Sequence, residues 1–155
     1  MSVIAPGTPA PEFQFRTEDG EDFTRADLVG QTTILVFYPF AFSPVCTDQL
    51  QVYEEALGEI EEQGARIFGV STDASYAQKA FRESLNVTIP QLSDFEPKGD
   101  ASRAFGVFFT PGGMSTRALV LTADDGTIAW SWEGEHPGIM PPVSLVLDAV
   151  ADLGW

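Results

Sequence analysis

The stretch PFAFSPVC, residues 39–46, ends in Cys46, the only cysteine among the 155 residues of the chain. A lone cysteine cannot form a disulfide within its own chain, so Cys46 is either an inert core residue or a reactive thiol. Ser43 and Pro44 precede it in the order that is typical of a helix start, because serine is a favoured N-cap and proline a favoured first helical residue. This order predicts that Cys46 is the third residue of a helix.

A cysteine in the first turn of a helix is placed for chemistry. The backbone N–H groups there have no intrahelical partner, and the helix dipole is positive at that end. Both effects favour the thiolate, which is the nucleophilic form of cysteine. The pattern therefore favours a reactive Cys46 over an inert one.

Few other residues of the chain qualify as partners of such a thiol. His136, the one histidine, lies in the Gly/Pro-rich stretch GEHPG, which favours a surface residue and leaves a cysteine–histidine hydrolase open only in principle. One cysteine and one histidine cannot complete a four-ligand zinc site without carboxylates, and no second cysteine is present for a dithiol redox motif. Arg117 begins the predicted strand RALVLT, where it is either an inert outward-pointing arginine or a cation beside Cys46. In the second case it would stabilise a thiolate and hold a polar, oxygen-bearing substrate.

The hydrophobic pattern predicts the strands and helices that carry these residues. FQFRTEDGEDF alternates around a turn at Asp19-Gly20, and a second hairpin turns at Asp124-Asp125-Gly126. Continuous apolar runs predict buried strands, and helical periodicity predicts helices. The predicted strands after the first hairpin cover residues 32–39, 65–72, 117–122 and 127–132, and the predicted helices cover residues 44–63, 75–85 and 141–153.

This element order predicts one α/β domain that spans residues 1–155. The expected architecture is a central mixed β-sheet, parallel in the middle and antiparallel at one edge, flanked by helices and preceded by an N-terminal β-hairpin. A thioredoxin-like fold has this order. The helix that begins at Ser43 would then start at the carboxyl end of a central strand, where open α/β sheets bind ligands.

The composition excludes several functions. Eight Lys and Arg residues against 23 Asp and Glu residues give a formal charge of −15, which disfavours nucleic acid and anionic membranes as partners. The acidic charge is either a solvated surface or an adaptation to high salt. The longest apolar run, residues 34–42, is too short to cross a bilayer, and the N-terminus lacks the pattern of a signal peptide. These features predict a cytoplasmic protein with no membrane contact.

Pro39, Ser43 and Cys46 match the signature of the peroxiredoxin family: proline, three residues, Thr or Ser, two residues, and the peroxidatic cysteine. Arg117 matches an arginine that the family carries on a later strand, and two further stretches, VSTD at residues 70–73 and QLSDFEPKGDASRAFGVF at residues 91–108, also resemble family segments. The resemblance covers nearly the whole chain in order. It is strongest to the one-Cys alkyl hydroperoxide reductase E subgroup.

Three positions separate this chain from its relatives in the family. The bacterioferritin-comigratory subgroup often has a resolving cysteine five residues after the peroxidatic one, where this chain has Gln51. Ser43 replaces the commoner threonine, which should preserve a hydrogen bond. Gln49 stands where glutamate is common, so the position can still form a hydrogen bond but carries no charge.

The resemblance implies a thiol peroxidase that reduces hydrogen peroxide and organic hydroperoxides. Cys46 would attack the peroxide, and Ser43 and the Cys46 N–H would hold the peroxide by hydrogen bonds. Arg117 would stabilise the thiolate and the leaving oxygen. Pro39 would shield the site from water. The resulting sulfenic acid would be reduced by an external thiol: a low-molecular-weight thiol, a mycoredoxin-like or glutaredoxin-like protein, or thioredoxin. The resemblance implies no cofactor or metal, and it implies a homodimer.

Two other functions fit the same residues. In a peroxide sensor or redox relay, Cys46 would pass its oxidation to one specific partner protein. In a non-catalytic thioredoxin-like interaction or holdase protein, Cys46 would be inert. The aromatic residues around the site, Phe37, Tyr38, Phe40 and Phe42, indicate either tolerance for organic hydroperoxides or ordinary core packing.

Overall fold

The computed structural model describes residues 2–153. The strands are β1 (Gln14–Thr17), β2 (Asp22–Thr24), β3 (Thr32–Phe37), β4 (Ala65–Ser71), β5 (Gln91–Ser93), β6 (Phe108–Phe109), β7 (Met114–Ser115), β8 (Ala118–Thr122) and β9 (Ile128–Glu133). The α-helices are α1 (Pro44–Glu55), α2 (Leu57–Glu62), α3 (Ser75–Ser84), α4 (Asp100–Ala104) and α5 (Val143–Ala151). Both predicted hairpins, the predicted central strands and the predicted helices are therefore present, with ends that differ by a few residues.

The main sheet has the strand order β2-β1-β5-β4-β3-β8-β9, and β6 and β7 form a separate pair. Strands β5, β4 and β3 run parallel, whereas β8 and β9 extend the sheet in antiparallel fashion beyond β3. The prediction of antiparallel pairing at only one edge was wrong. The N-terminal hairpin also joins the sheet, because β1 pairs antiparallel with β5.

Strand β3 is central because every one of its side chains can be buried. The sequence TTILVF supplies β-branched and aromatic residues that pack well on a pleated surface, and all of its residues are buried. Ile34 and Val36 face a core that also contains side chains of α1, α2, α3 and α5. Leu35 and Phe37 face the opposite core, which is rich in phenylalanine. Successive side chains of a strand point to opposite faces, so one short strand serves both layers.

The single helix predicted for residues 44–63 is two helices in the structure. Ala56 separates α1 from α2, with φ of −95° and ψ of 0°, and its N–H bonds to the carbonyls of Tyr53 and Glu54. Apolar side chains continue on the same side through both helices, with Leu50, Tyr53 and Ile60 in one core. The hydrophobic pattern therefore could not reveal the break. In the part of the chain that the structure describes, no helix is long and apolar enough to span a bilayer.

Candidate active site

Cys46 lies where the helix-start pattern predicts it. Ser43 occupies the N-cap position of α1 with extended backbone angles, Pro44 is the first helical residue and Cys46 is the third. The loop of residues 38–43 joins this helix to the carboxyl end of β3. The Cys46 side chain is fully buried and contributes to the core beneath α1.

Arg117 reaches the same point from a distant part of the chain. It directly precedes β8, whose Ala118 pairs with Phe37 at the carboxyl end of β3. The guanidinium Nη2 donates a hydrogen bond to Cys46 Sγ at 3.2 Å. A guanidinium stabilises an anion that it contacts, so this geometry suits a thiolate nucleophile.

The other contacts of Arg117 are made to uncharged groups. Nη1 donates to Gln49 Oε1 at 2.6 Å, and Nε donates to the carbonyl of Pro137 at 2.8 Å. Only 1% of Arg117 is exposed, and the ion pairs found among residues 2–153 do not include it. A buried cation without a carboxylate partner is costly. Among its contacts, Cys46 is the group that can carry a compensating negative charge.

Ser43 and Pro39 both lie in the turn that leads into α1. The Ser43 hydroxyl donates to the carbonyl of Phe40 at 2.9 Å and makes no cap bond to the helix. Pro39 is buried two residues after the end of β3. The structure therefore places Ser43, Pro39 and Cys46 on one short segment, and the sheet adds Arg117.

Asp73, in the loop directly after β4, fixes this turn. Asp73 Oδ2 accepts hydrogen bonds from the Ala41 N–H at 2.8 Å and from the Ser71 hydroxyl at 2.7 Å. Phe42 has a φ of +70°, in the left-handed region that side-chain-bearing residues rarely adopt. Its ring lies 5.1 Å from that of Phe81 on α3. The turn is therefore held from one side by a carboxylate and from the other by an aromatic contact.

The four aromatic residues near the site divide into two pairs. Phe37 and Tyr38 are buried in the cores, and the Tyr38 hydroxyl donates to Gln91 Oε1 at 2.6 Å. Phe40 and Phe42 are 41% and 58% exposed. Core packing accounts for the first pair, and the second pair forms part of the surface around the turn.

His136 lies outside this cluster of contacts. It is exposed, and its Nδ1 accepts a hydrogen bond from the Gly138 N–H at 3.1 Å. Among residues 2–153 no group of three or more His, Cys, Asp or Glu side chains is arranged to hold a metal ion. The structure thus gives His136 a local role in its own loop.

Two participants in the site were not predicted from the sequence. The Pro137 acceptor is a backbone carbonyl, which every residue possesses, so no residue type could have indicated it. Tyr53 packs under α1 and donates from its hydroxyl to the carbonyl of Pro141 at 2.8 Å. Its spacing of four residues from Gln49 places both side chains on one face of the helix, and this was the only available signal.

The assembled site can support a displacement on sulfur or oxygen. It has a buried thiol at a helix start, one guanidinium N–H directed at the sulfur, and a serine hydroxyl in the adjoining turn. Fixed donors of this kind stabilise charge as it develops on a leaving oxygen.

Comparison with known proteins identifies relatives along most of the chain. A model of the AhpC/TSA family matches residues 6–131. Alkyl hydroperoxide reductase E of Mycobacterium tuberculosis is 30% identical over 148 residues, which cover 95% of this chain and 96% of that protein. Alkyl hydroperoxide reductase C of Amphibacillus xylanus is 33% identical over 134 residues, covering 83% and 70% of the two chains.

Solved structures agree with the fold. The crystal structure of Enterococcus faecalis AhpC matches with a TM-score of 0.85 at 24% identity, over 96% of this chain and 93% of that one. Peroxidoxin BcpB of Mycobacterium tuberculosis matches with a TM-score of 0.83 at 22% identity, over 98% and 99%. At these identities the likeness concerns the fold, and it confirms the predicted thioredoxin-like arrangement of a mixed sheet flanked by helices.

Proposed function

The chain belongs to the AhpC/TSA family and is a peroxiredoxin similar to alkyl hydroperoxide reductase E, and from that premise we propose that Cys46 is its peroxidatic cysteine. Peroxiredoxins are thiol peroxidases, so this chain is an oxidoreductase. The contact of 3.2 Å between Arg117 Nη2 and Cys46 Sγ is the observation that supports the assignment most directly.

In the proposed reaction, the Cys46 thiolate attacks one oxygen of a peroxide ROOH. A sulfur–oxygen bond forms as the oxygen–oxygen bond breaks, which gives a sulfenic acid on Cys46 and releases RO⁻. The leaving oxygen takes up a proton and departs as water or an alcohol. Sulfur is oxidised and the peroxide is reduced, with no need for a metal or an organic cofactor.

Arg117, Ser43 and Pro39 have supporting roles in this proposal. The Arg117 guanidinium stabilises the thiolate and the charge that develops on the leaving oxygen. The Ser43 hydroxyl rotates away from the Phe40 carbonyl and donates a hydrogen bond to the peroxide. The Cys46 N–H, which lies in the first turn of α1 and has no intrahelical partner, donates a second hydrogen bond to it. Pro39 keeps water away from the thiol.

The return to the thiolate requires a second thiol from outside the chain, because Cys46 is its only cysteine. One external thiol condenses with the sulfenic acid to give a mixed disulfide and water, and a second thiolate attacks that disulfide and releases Cys46. We propose a one-Cys mechanism of this kind. The reductant is a low-molecular-weight thiol, a mycoredoxin-like or glutaredoxin-like protein, or thioredoxin.

The proposed substrates are hydrogen peroxide and organic hydroperoxides, reduced in the cytoplasm. Cys46 is fully buried beneath the turn, which favours small peroxides. The exposed rings of Phe40 and Phe42 offer an apolar surface for the organic part of a larger hydroperoxide.

A homodimer is also part of the proposal. Phe40, Phe42, Tyr76 and Phe95 are all exposed, and they follow the carboxyl ends of β3, β4 and β5, which lie at the same end of the parallel strands. Two copies that each carry a charge of −15 repel each other. Contact through an uncharged aromatic surface is therefore favoured over contact through the acidic surface. Sedimentation at micromolar concentration should give twice the monomer mass of 16.8 kDa, and a monomer at all concentrations would contradict this assignment.

The first test follows tryptophan fluorescence by stopped flow as reduced protein meets increasing hydrogen peroxide. Trp130 and Trp132 lie on β9 and pair with Leu121 and Leu119 of β8, the strand that directly follows Arg117. We expect a rate far above that of a free thiol, with one oxygen added to Cys46 by mass spectrometry. Cys46→Ser should abolish the reaction, and Arg117→Lys should slow it about a hundredfold because lysine cannot keep the guanidinium contacts.

Arg16→Lys is the matched control, since Arg16 is exposed on the N-terminal hairpin and its replacement should leave the rate unchanged. Peroxide consumption by Cys46→Ser, or an unchanged rate in Arg117→Lys, would contradict the mechanism. Turnover with a simple thiol reductant would support the peroxidase, whereas dependence on one specific partner protein would favour the relay.

A further inference from the structure

The segment between β9 and α5, residues 134–142, is attached to the active site through two of its backbone carbonyls. Arg117 Nε donates to the carbonyl of Pro137 at 2.8 Å. The Tyr53 hydroxyl donates to the carbonyl of Pro141, also at 2.8 Å. The first hydrogen bond is made by Arg117, which contacts the Cys46 thiol. The second is made by Tyr53 on α1, the helix that also carries Cys46.

Tyr53 is buried on the face of α1 that Gln49 shares, four residues earlier. Burial raises the pKa of Tyr53 to about 12, and the neighbouring Gln49 and Arg117 side chains oppose that rise. Tyr53 therefore remains a phenol at neutral and mildly alkaline pH and can donate its proton to Pro141 throughout that range.

Gln49 lies near both Tyr53 and Arg117. Its Oε1 accepts from Arg117 Nη1 at 2.6 Å. Its Nε2 is buried beside Tyr53, yet it makes no hydrogen bond of ordinary geometry with any group in the described part of the chain. The bond from Arg117 is therefore the hydrogen bond that orients the Gln49 amide.

The orientation of Arg117 depends on these uncharged contacts. No carboxylate among residues 2–153 forms an ion pair with it, so its direction is set by Gln49 Oε1, the Pro137 carbonyl and Cys46 Sγ. A guanidinium is planar and rigid, so a shift of the Nε or Nη1 acceptor also moves Nη2 relative to the sulfur. Loss of the Pro141 attachment loosens the segment that carries Pro137, which is then held by Arg117 Nε and by the Gly134 N–H, a donor to the Arg117 carbonyl at 3.1 Å.

We propose that Tyr53 is a positioning residue for the peroxide reaction. By anchoring residues 134–142 on α1, it holds the Pro137 carbonyl where Arg117 needs it and so keeps the guanidinium on Cys46. The inference rests on the proposed function of Cys46 and Arg117. The Tyr53 hydroxyl donates to the Pro141 carbonyl and not to the thiol, so its effect on the reaction passes through the segment and Arg117.

The test variant is Tyr53→Phe, which keeps the buried ring and removes only the hydroxyl. We expect its second-order rate with hydrogen peroxide to fall about three- to tenfold, the effect of one hydrogen bond. The matched control is Thr33→Val, because Thr33 is also buried and its hydroxyl donates to the carbonyl of Gln31 at 3.0 Å, at the amino end of β3 and so at the opposite end of that strand from the site. Both variants should lose thermal stability to a similar degree, but the control should keep its peroxide rate within about twofold.

A second readout separates positioning from loosening of the fold. Iodoacetamide is a neutral reagent that alkylates the thiolate. A misplaced Arg117 leaves less thiolate and slows alkylation, whereas a loosened fold exposes the buried thiol and accelerates it. We expect slower alkylation in Tyr53→Phe.

The outcomes distinguish this inference from the proposed function. A normal peroxide rate in Tyr53→Phe beside a slow Arg117→Lys overturns only the role of Tyr53, and so does faster alkylation of Tyr53→Phe. Normal rates in both variants would contradict the role of Arg117 itself.

Discussion

The hydroxyl of Ser43 lies one turn before the thiol and donates to the carbonyl of Phe40. The first turn of α1 therefore has no side-chain cap, although Ser43 occupies the N-cap position in its backbone. The hydroxyl can be redirected to an incoming oxygen without depriving any helical N–H of its partner. This is the arrangement that a donor for a transient substrate requires.

We predict that Ser43→Ala lowers the peroxide rate about tenfold or more, because one donor to the reacting oxygens is lost. The free energy of unfolding should change by less than about 1 kcal/mol, since no cap bond is removed. Ser43→Thr keeps the hydroxyl and should retain most of the rate. Stopped-flow kinetics and urea unfolding measure the two effects, and an Ala variant that is as fast as the original protein would contradict the role of the hydroxyl.

At the same scale, the sequence predicts the residues whose type carries the chemistry. The order Ser43, Pro44, Cys46 predicts a helix start with a thiol in its first turn, and the start of a neighbouring strand predicts the position of Arg117. The pattern could not predict which partner the Ser43 hydroxyl bonds, because serine can form either a cap bond to the helix or the bond to the Phe40 carbonyl. The Pro137 carbonyl carries no signature in the sequence.

The turn of residues 40–43 connects elements that are far apart in the chain. The turn follows β3, the loop after β4 holds it through Asp73, and α3 holds it through the contact of Phe81 with Phe42. Phe42 keeps a positive φ within this turn. The backbone strain and the aromatic contact therefore act on the same residue, with opposite effects on stability.

We predict that Phe42→Gly is more stable than Phe42→Ala by about 1 kcal/mol. Both variants lose the ring, but only glycine adopts the left-handed conformation without steric cost, and this gain exceeds the entropy that glycine loses on folding. Urea unfolding of the two variants gives the difference directly. An alanine variant as stable as the glycine variant would show that the turn relaxes to a negative φ when the ring is removed.

The elements that the sequence did not predict are the short ones. β5 has only three residues, β6 and β7 have two each, and α4 has five. Such lengths are too short for a period of 2 or 3.6 residues to be recognised. Because β5 is the strand that receives the N-terminal hairpin, missing it also led to the wrong expectation of a single antiparallel edge.

Taken as a whole, the molecule carries far more negative charge than its few cations can neutralise. Its formal charge is −15, and the ion pairs among the described residues link Arg16 with Asp22, Arg25 with Glu12 and Arg82 with Glu18. The remaining carboxylates repel one another, which lowers the stability of the compact state. Added salt should relieve this repulsion.

We predict that raising sodium chloride from about 10 mM to about 200 mM increases the melting temperature, because the screening length falls from about 30 Å to below 10 Å. A gain of one to two kcal/mol corresponds to roughly 2 to 8 °C for a chain of this size. Calorimetry at fixed pH measures the shift, with an equal osmolality of sucrose as the control for solvent exclusion. A melting temperature that does not rise would favour a well-solvated acidic surface that imposes no strain on the fold.

The pairing of β3 with β8 also has a consequence for the order of events during biosynthesis. Cys46 and Arg117 are 71 positions apart, and they meet only when the antiparallel ladder between these two strands is complete. A nascent chain that has emerged only as far as α3 therefore exposes an ordinary thiol without its guanidinium. In the proposed mechanism, the thiol therefore gains its activating cation only after β8 has left the ribosome and paired with β3.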